Sequence, residues 1–346
     1  MAPALDLPYE IRNVSPEEDK LIKKCVLGHT KSFVKCGKKE YVMPGAFRNH
    51  ARAIYDMEVR PDDVWVITFP RSGTTWTQEM IWLLENNLDY AAARNKALFE
   101  RFPMLEISSV VPEIAVDLIK ADFMNLASFQ GLNKAVRVQS WESINKAPSP
   151  RFIKTHLPLS LLPPDLLDKA KVIYVARDPR DIAVSYYYLH KMVAKTLYRT
   201  SFKTFWNVFK KDLLPWTPVV THNNEAWSQR HNKNLHFVFY EDMIKDLRKV
   251  IHGMCHFLGR NYLDEQINTL AEHLSFDSLR KNKNVNNTTD GNDNIQFIRK
   301  GEAGGWVTHF DEAMSIQAND YLSTRLCGLD LRYPSYNEDH IECSRL

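Results

Sequence analysis

Apolar positions fall along this chain in two rhythms. Consecutive apolar runs at 64–68 (Val64-Trp65-Val66-Ile67-Thr68), 151–155, 172–176 and 235–240 are flanked by turns and polar segments. Such short, uninterrupted runs suit strands buried on both faces, as in a parallel sheet. Between and beyond them the apolar residues recur at helical spacing, which predicts helices over 75–86, 179–194, 202–211, 218–230, 242–257, 263–272 and 311–325. Ser15-Pro16-Glu17-Glu18 is a helix start signal within residues 1–60, which read as a short approach to the core. The alternation of strands and helices predicts an α/β fold of three layers, a central, mostly parallel sheet flanked by helices. Ligands in such folds bind at the carboxyl ends of the strands. Nothing in the middle of the chain resembles a linker, so one domain over 1–346 is expected. The Asn-rich stretch 281–294 has no apolar periodicity and is expected to be a mobile loop.

Composition narrows the function without naming it. The chain has 346 residues, 44% hydrophobic and 25% charged, the balance of a soluble protein. A net charge of +3 is too small to point to nucleic acid, so any anionic ligand must be held by local arginines. Cys25, Cys36, Cys255, Cys327 and Cys343 are scattered, odd in number and without metal or redox spacing. They read as reduced thiols of a cytosolic protein. The start, Met1 to Pro8, has no basic or long apolar segment, and no later run approaches the ~20 apolar residues of a membrane span. A cytoplasmic location is expected. His252 and His256 stand four apart, but the residues between them do not make a zinc-binding His-Glu-x-x-His, so no metal site is expected.

Four segments carry chemistry, and a fifth offers a supporting contact. After the strand at 64–68 comes Phe69-Pro70-Arg71-Ser72-Gly73-Thr74-Thr75-Trp76, then a helix. Gly73 allows a close backbone turn, while hydroxyls and helix-start amides donate to an oxyanion. Arg71 adds a cationic fork, and Trp76 offers a face for a ring. The nucleoside-triphosphate loop is excluded, since Gly-Lys before Ser/Thr is missing. Lys154-Thr155-His156-Leu157-Pro158 follows a second strand, which puts a histidine base and a charge-stabilising lysine at a strand end. Arg177-Asp178-Pro179-Arg180-Asp181 follows a third strand, and Arg177 with Ser185 suits a second phosphate; Asp178 or Asp181 alternatively caps the helix and pairs with the arginines. Phe297-Ile298-Arg299-Lys300-Gly301 is either a nucleotide-closing segment or a basic surface loop. Tyr240-Glu241-Asp242, at a fourth strand end, offers a face or polar contact to a base, or simply ends the strand.

Taken together, Thr68 to Trp76, Lys154 to Pro158, Tyr174 to Ser185, Phe239 to Asp242 and Arg299 to Gly301 resemble the cytosolic sulfotransferase family. The order of motifs is similar across 45–325, and the chain further resembles the insect branch that includes retinol dehydratase. The resemblance implies sulfuryl transfer from 3′-phosphoadenosine 5′-phosphosulfate (PAPS) to an acceptor hydroxyl or amine. It leaves 3′-phosphoadenosine 5′-phosphate (PAP), with no tightly bound cofactor. It implies that Arg71, Ser72, Gly73, Thr74 and Thr75 hold the 5′-phosphosulfate, and that Trp76 stacks on adenine near Tyr240 and Phe297. Arg177, Ser185 and Arg299, with Lys300 and Gly301, would bind the 3′-phosphate. His156 would be the general base, with Lys154 and Arg71 stabilising charge.

Three features depart from that family's pattern. Arg71 stands where lysine is usual, and Leu274-Ser275-Phe276 replaces Thr-Ser-Phe by the adenine. The dimerisation pattern falls on Val307, Asp311-Glu312 and Ile316 and matches none of them, leaving monomer and homodimer both open. Phe102, Pro103, Met104 and Leu105 resemble the acceptor gate, and Tyr186-Tyr187-Tyr188 and Tyr198 to Trp206 offer further walls. The implied partner is a small lipophilic molecule bearing a hydroxyl, such as a phenol, steroid or retinoid-like alcohol. Elimination after sulfonation, as in retinol dehydratase, is the narrower alternative. A small-molecule kinase and a non-catalytic nucleotide-binding protein are the others.

Overall fold

Four strands form a parallel sheet: β4 (Val64–Thr68), β5 (Phe152–Thr155), β6 (Lys171–Ala176) and β7 (Leu235–Phe239), in the order β5-β4-β6-β7. The computed structural model describes residues 7–114, 140–194, 197–285 and 301–336. Alternate residues of each strand face opposite sides, and both sides are packed. Val64, Val66, Ile173 and Val175 join one apolar cluster, while Trp65, Ile67, Val172 and Tyr174 join the other. Each such side chain contributes about 1.5–3 kcal/mol on burial. That double burial is why the strands read as uninterrupted apolar runs, and it makes the sheet the middle of three layers.

Register brings the carboxyl ends of the strands level. Ile67 pairs with Thr155, Thr68 with Val175, and Ala176 with Phe239. The residues that follow, from Phe69, His156, Arg177 and Tyr240, therefore emerge along one edge. At the opposite edge the guanidinium of Arg151 donates from Nε to Asp63 Oδ1 (2.7 Å) and from Nη2 to Glu58 O (2.7 Å), fully buried.

Helices run over Thr74–Glu85, Pro179–Ala194, Phe202–Phe209, Val219–Ser228, Asp264–His273 and Glu312–Leu326, close to the expected spans. The helix expected over 242–257 is two, Tyr240–Lys245 and Leu247–Leu258. Asp246 breaks it because its carboxylate accepts the Lys249 N–H as an N-cap.

The approach segment is more structured than expected. It holds a helix, Pro16–Cys25, started by a capping box between Ser15 and Glu18. It also holds an antiparallel sheet of β1 (Ile11–Asn13), β2 (Val34–Cys36) and β3 (Tyr41–Met43). Of the stretch 281–294, the first residues are anchored: Lys281 ends a helix, Leu98 N–H donates to Asn284 O (2.8 Å), and Val285 is buried. Residues 286–294 lie outside the described residues. Cys25, Cys36 and Cys255 are buried free thiols. Cys327 is disulfide-bonded, which corrects the expectation of reduced thiols throughout; spacing along a chain does not report which thiols folding brings together. Among the described residues no helix is long and apolar enough to cross a membrane.

Candidate active site

The loop after β4 is built to receive an anion. Arg71 and Gly73 both adopt positive φ, 71° and 98°. Only the second is free of a side-chain penalty, and strain in a non-glycine residue marks a position held for a purpose. A Cβ on Gly73 would lie 2.7 Å from Tyr240 Cδ2, so the turn packs directly on that ring. The first helical bond is Thr77 N–H to Gly73 O, which leaves the amides of Thr74, Thr75 and Trp76 as helix-start donors. Ser72 is fully buried, and its Oγ has no hydrogen-bond partner. A buried, unpaired hydroxyl beside helix-start amides is a donor waiting for an oxyanion.

A second cationic centre stands across the loop. Arg177, just past β6, donates from Nη1 to Arg71 O (3.1 Å) and from Nη2 to Glu302 O (2.8 Å). Its guanidinium carbon is 4.2 Å from the Tyr240 ring centroid. Its Nε is buried and unpaired, a second orphan donor. Ser185 Oγ accepts from Arg71 Nε (2.9 Å), so the loop arginine and the helix serine already meet. Asp181 accepts the N–H of Gly304 (2.7 Å) and of Trp306 (3.0 Å), pinning the segment after Gly301 against helix Pro179–Ala194. Asp178 instead engages Arg180 and Ser335, the structural role left open for it. Gly301 (φ 66°) abuts Phe276 so closely that a Cβ would lie 2.3 Å from Cδ2. Phe276 and Trp76 line the cavity with Tyr240, whose ring centroid is 5.9 Å from that of Trp76. Phe297, Arg299 and Lys300 lie outside the described residues.

His156 and Lys154 both line the cavity. His156 Nδ1 is 2.8 Å from Thr68 O, and a carbonyl only accepts, so Nδ1 carries the proton. Nε2 is then left with its lone pair. Burial, reinforced by Lys154, holds the imidazole well below its ordinary range, and so it is neutral at neutral pH. Burial also brings the Lys154 ammonium down to about 8. Thr68 ties the two halves together, its hydroxyl lying 2.6 Å from Thr74 Oγ1 and 3.1 Å from His156 Nδ1.

Three residues that sequence reading missed hold this arrangement. Buried Glu106 accepts from Thr155 Oγ1 and from His156 N–H, both at 2.7 Å. His222 Nε2 donates to His156 O (2.9 Å), and the Trp216 ring lies edge-on to His156 at 5.4 Å. None belongs to a local motif, and only the fold reveals them.

One cavity of ≈ 570 Å³ joins all of this. Its lining sorts by chemistry into two arms, one with Gly73 to Trp76, Arg177, Tyr240 and Gly301, the other mostly apolar, with Met104, Ile107, Val110, Leu189, Val193 and Trp216. Lys154 and His156 line the same cavity. Of the expected walls, Met104, Tyr186 and Tyr198 line it, whereas Phe102 and Trp206 are core residues. Phe102 packs on Phe152 at 5.5 Å, and Trp206 on Phe310 at 4.9 Å.

Comparison with known proteins gives a family and several relatives. The family described as "Sulfotransferase domain" matches residues 61–330. Sulfotransferase 1E1 of Bos taurus is 31% identical over 286 residues, covering 81% of this chain and 88% of its own. Luciferin sulfotransferase of Photinus pyralis is 29% identical over 309 residues, covering 86% and 80%. The structure of retinol dehydratase in a complex with retinol and PAP superposes with a TM-score of 0.86 at 40% identity, covering 95% of this chain and all (100%) of that one.

Proposed function

The chain belongs to the sulfotransferase family, and on that premise we propose that it moves a sulfuryl group from PAPS to the hydroxyl of a small lipophilic acceptor, with His156 as general base. The cavity carries this reading: Arg177, with an unpaired Nε, and the helix-start residues Thr74 to Trp76 line one arm, apolar side chains the other, and a neutral imidazole stands beside a lysine in the same space. Ser72 Oγ and the amides of Thr74, Thr75 and Trp76 suit the 5′-phosphosulfate. Arg177 and Ser185, with Gly301, suit the 3′-phosphate, and Trp76, Tyr240 and Phe276 suit adenine. PAPS supplies the sulfuryl group and, in PAP, a stable leaving group.

His156 Nε2 accepts the acceptor proton as the new O–S bond forms, a contact worth ~10²–10⁴-fold in rate. The proton already on Nδ1 stays with Thr68 O, so the imidazolium formed keeps both its nitrogens in use. Lys154 and Arg71 face the charge that develops on the transferring group and on the departing phosphate oxygen, where fixed cations favour the transition state over the ground state. The apolar arm excludes water, which would otherwise compete as acceptor.

Similarity to retinol dehydratase, at 40% identity over nearly the whole chain, favours a second reading in which sulfonation prepares an alcohol for elimination. Both readings are tested by incubating the protein with PAPS and a panel of phenols, steroid alcohols and polyene alcohols, then separating sulfated from dehydrated products. A sulfate ester that persists supports conjugation, and an anhydro product from the polyenes alone supports elimination. Absence of both, with PAP still bound, would remove the catalytic assignment.

A further inference from the structure

Helix Pro179–Ala194 lies along the cavity from one arm to the other. Asp181 and Ser185 are on its phosphate end, and Leu189, His190 and Val193 line the acceptor arm. At about 1.5 Å rise per residue, His190 stands roughly 7–8 Å along the axis from Ser185. It is one of the few polar groups on a mostly apolar wall. Its ring centroid lies 4.7 Å from that of Tyr186 and 5.8 Å from that of Phe205, and it stacks at 14° on Tyr198. Packed this way, its Nε2 is buried with no hydrogen-bond partner among the described residues, and the Tyr186 hydroxyl is in the same condition. His29 lines the same arm, its Nδ1 3.3 Å from Glu113 Oε2 but outside hydrogen-bonding geometry.

Burial, with His29 adding to it, pushes the His190 imidazole down to about 3, so it is neutral at any working pH. A neutral imidazole offers one N–H donor and one lone pair. Leaving the Nε2 position unpaired among aromatic rings is costly, and the sulfuryl-transfer machinery makes no use of it. An apolar side chain would fill this aromatic niche without that cost.

We propose that His190 is a second polar subsite of the acceptor arm, which pairs with a hydroxyl or carbonyl oxygen carried by the acceptor away from its reacting hydroxyl. The inference rests on the acceptor reading above and sharpens it. The acceptor class is an elongated, mostly apolar molecule with oxygen at two places, and a hydrocarbon alcohol with a single hydroxyl leaves His190 unpaired. A site that expects a hydrogen bond discriminates against the analogue that lacks it far more strongly than an apolar pocket discriminates by shape.

The test compares para-alkylphenols with para-(ω-hydroxyalkyl)phenols of matched chain length, bound to the protein in the presence of PAP. In an arm without a polar subsite the terminal hydroxyl weakens binding at every length. With His190 in its proposed role, the hydroxylated tail binds about tenfold or more tighter over a narrow range of lengths. His190→Phe should abolish that advantage at every length, and His190→Gln, which keeps a donor and an acceptor, should retain it at a shifted length. PAP affinity on the same preparations reports an intact donor site. A wild-type preference for the plain tail at every length would overturn the proposal, as would an advantage that survives in His190→Phe. Sulfation of the untailed phenol is recorded alongside. Its absence would count against sulfuryl transfer, and the binding ratios alone would still decide for or against His190.

Discussion

Replacing Lys154 by arginine should remove the alkaline limb of the pH–rate profile. Burial, reinforced by Arg71 and opposed by Glu106, brings the Lys154 ammonium down to about 8. Burial and the neighbouring lysine hold His156 well below its ordinary 6.5. Turnover needs the neutral imidazole and the charged amine together. The acid limb therefore lies below 6.5, where falling pH protonates His156. The alkaline limb centres on about 8, where rising pH strips Lys154. Beyond that midpoint each further pH unit removes about tenfold from kcat/KM. A guanidinium stays charged throughout this range, so the variant, slower because its planar fork fits the site differently, should show a flat alkaline side. The assay is kcat/KM for PAPS, which reports the free enzyme, with an aliphatic alcohol as acceptor because it does not itself ionise there. An alkaline limb that keeps its position in Lys154→Arg would refute the role given to this amine.

Other substitutions probe the remaining parts. His156→Ala should lower kcat by ~10²–10⁴-fold while calorimetry finds PAP affinity retained; a parallel loss of PAP binding would mean that the site had collapsed. Gly73→Ala places a methyl 2.7 Å from Tyr240 at a φ of 98° and should weaken PAP binding by about tenfold or more. Gly259→Ala, at φ 70° with open space around it, serves as the control that carries backbone strain of about 1–2 kcal/mol and leaves PAP binding unchanged. Arg151→Ala strands the buried carboxylate of Asp63 and should cost about 3–5 kcal/mol in denaturant unfolding, most of it recovered when Asp63→Asn is added.

The parallel sheet was legible because burial on both faces writes strands as unbroken apolar runs, and β4 appears at its observed residues, Val64–Thr68. Helix Pro179–Ala194 was equally plain, with proline at its first position and a long apolar stripe. The small sheet of β1 to β3 escaped because strands of three residues carry no measurable period. Glu106 and His222 escaped for another reason. Glu106 reaches His156 from 50 residues away, and a lone acidic residue in a loop has no sequence signal. Phe102 misled in the opposite sense, since an aromatic beside the acceptor arm and one in the core beneath it read alike along the chain. His190 lay hidden inside the apolar stripe of its helix, where only the lack of a partner marks it.

The most direct measurement is a crystal structure with PAP and a lipophilic alcohol bound together. The expected result places the 5′-phosphate on the amides of Thr74 to Trp76 and the 3′-phosphate on Arg177 and Ser185. It also places the acceptor hydroxyl about 2.6–3.2 Å from His156 Nε2. A nucleotide that leaves Ser72 and Arg177 without contacts, or an alcohol whose hydroxyl points away from His156, would contradict the assignment.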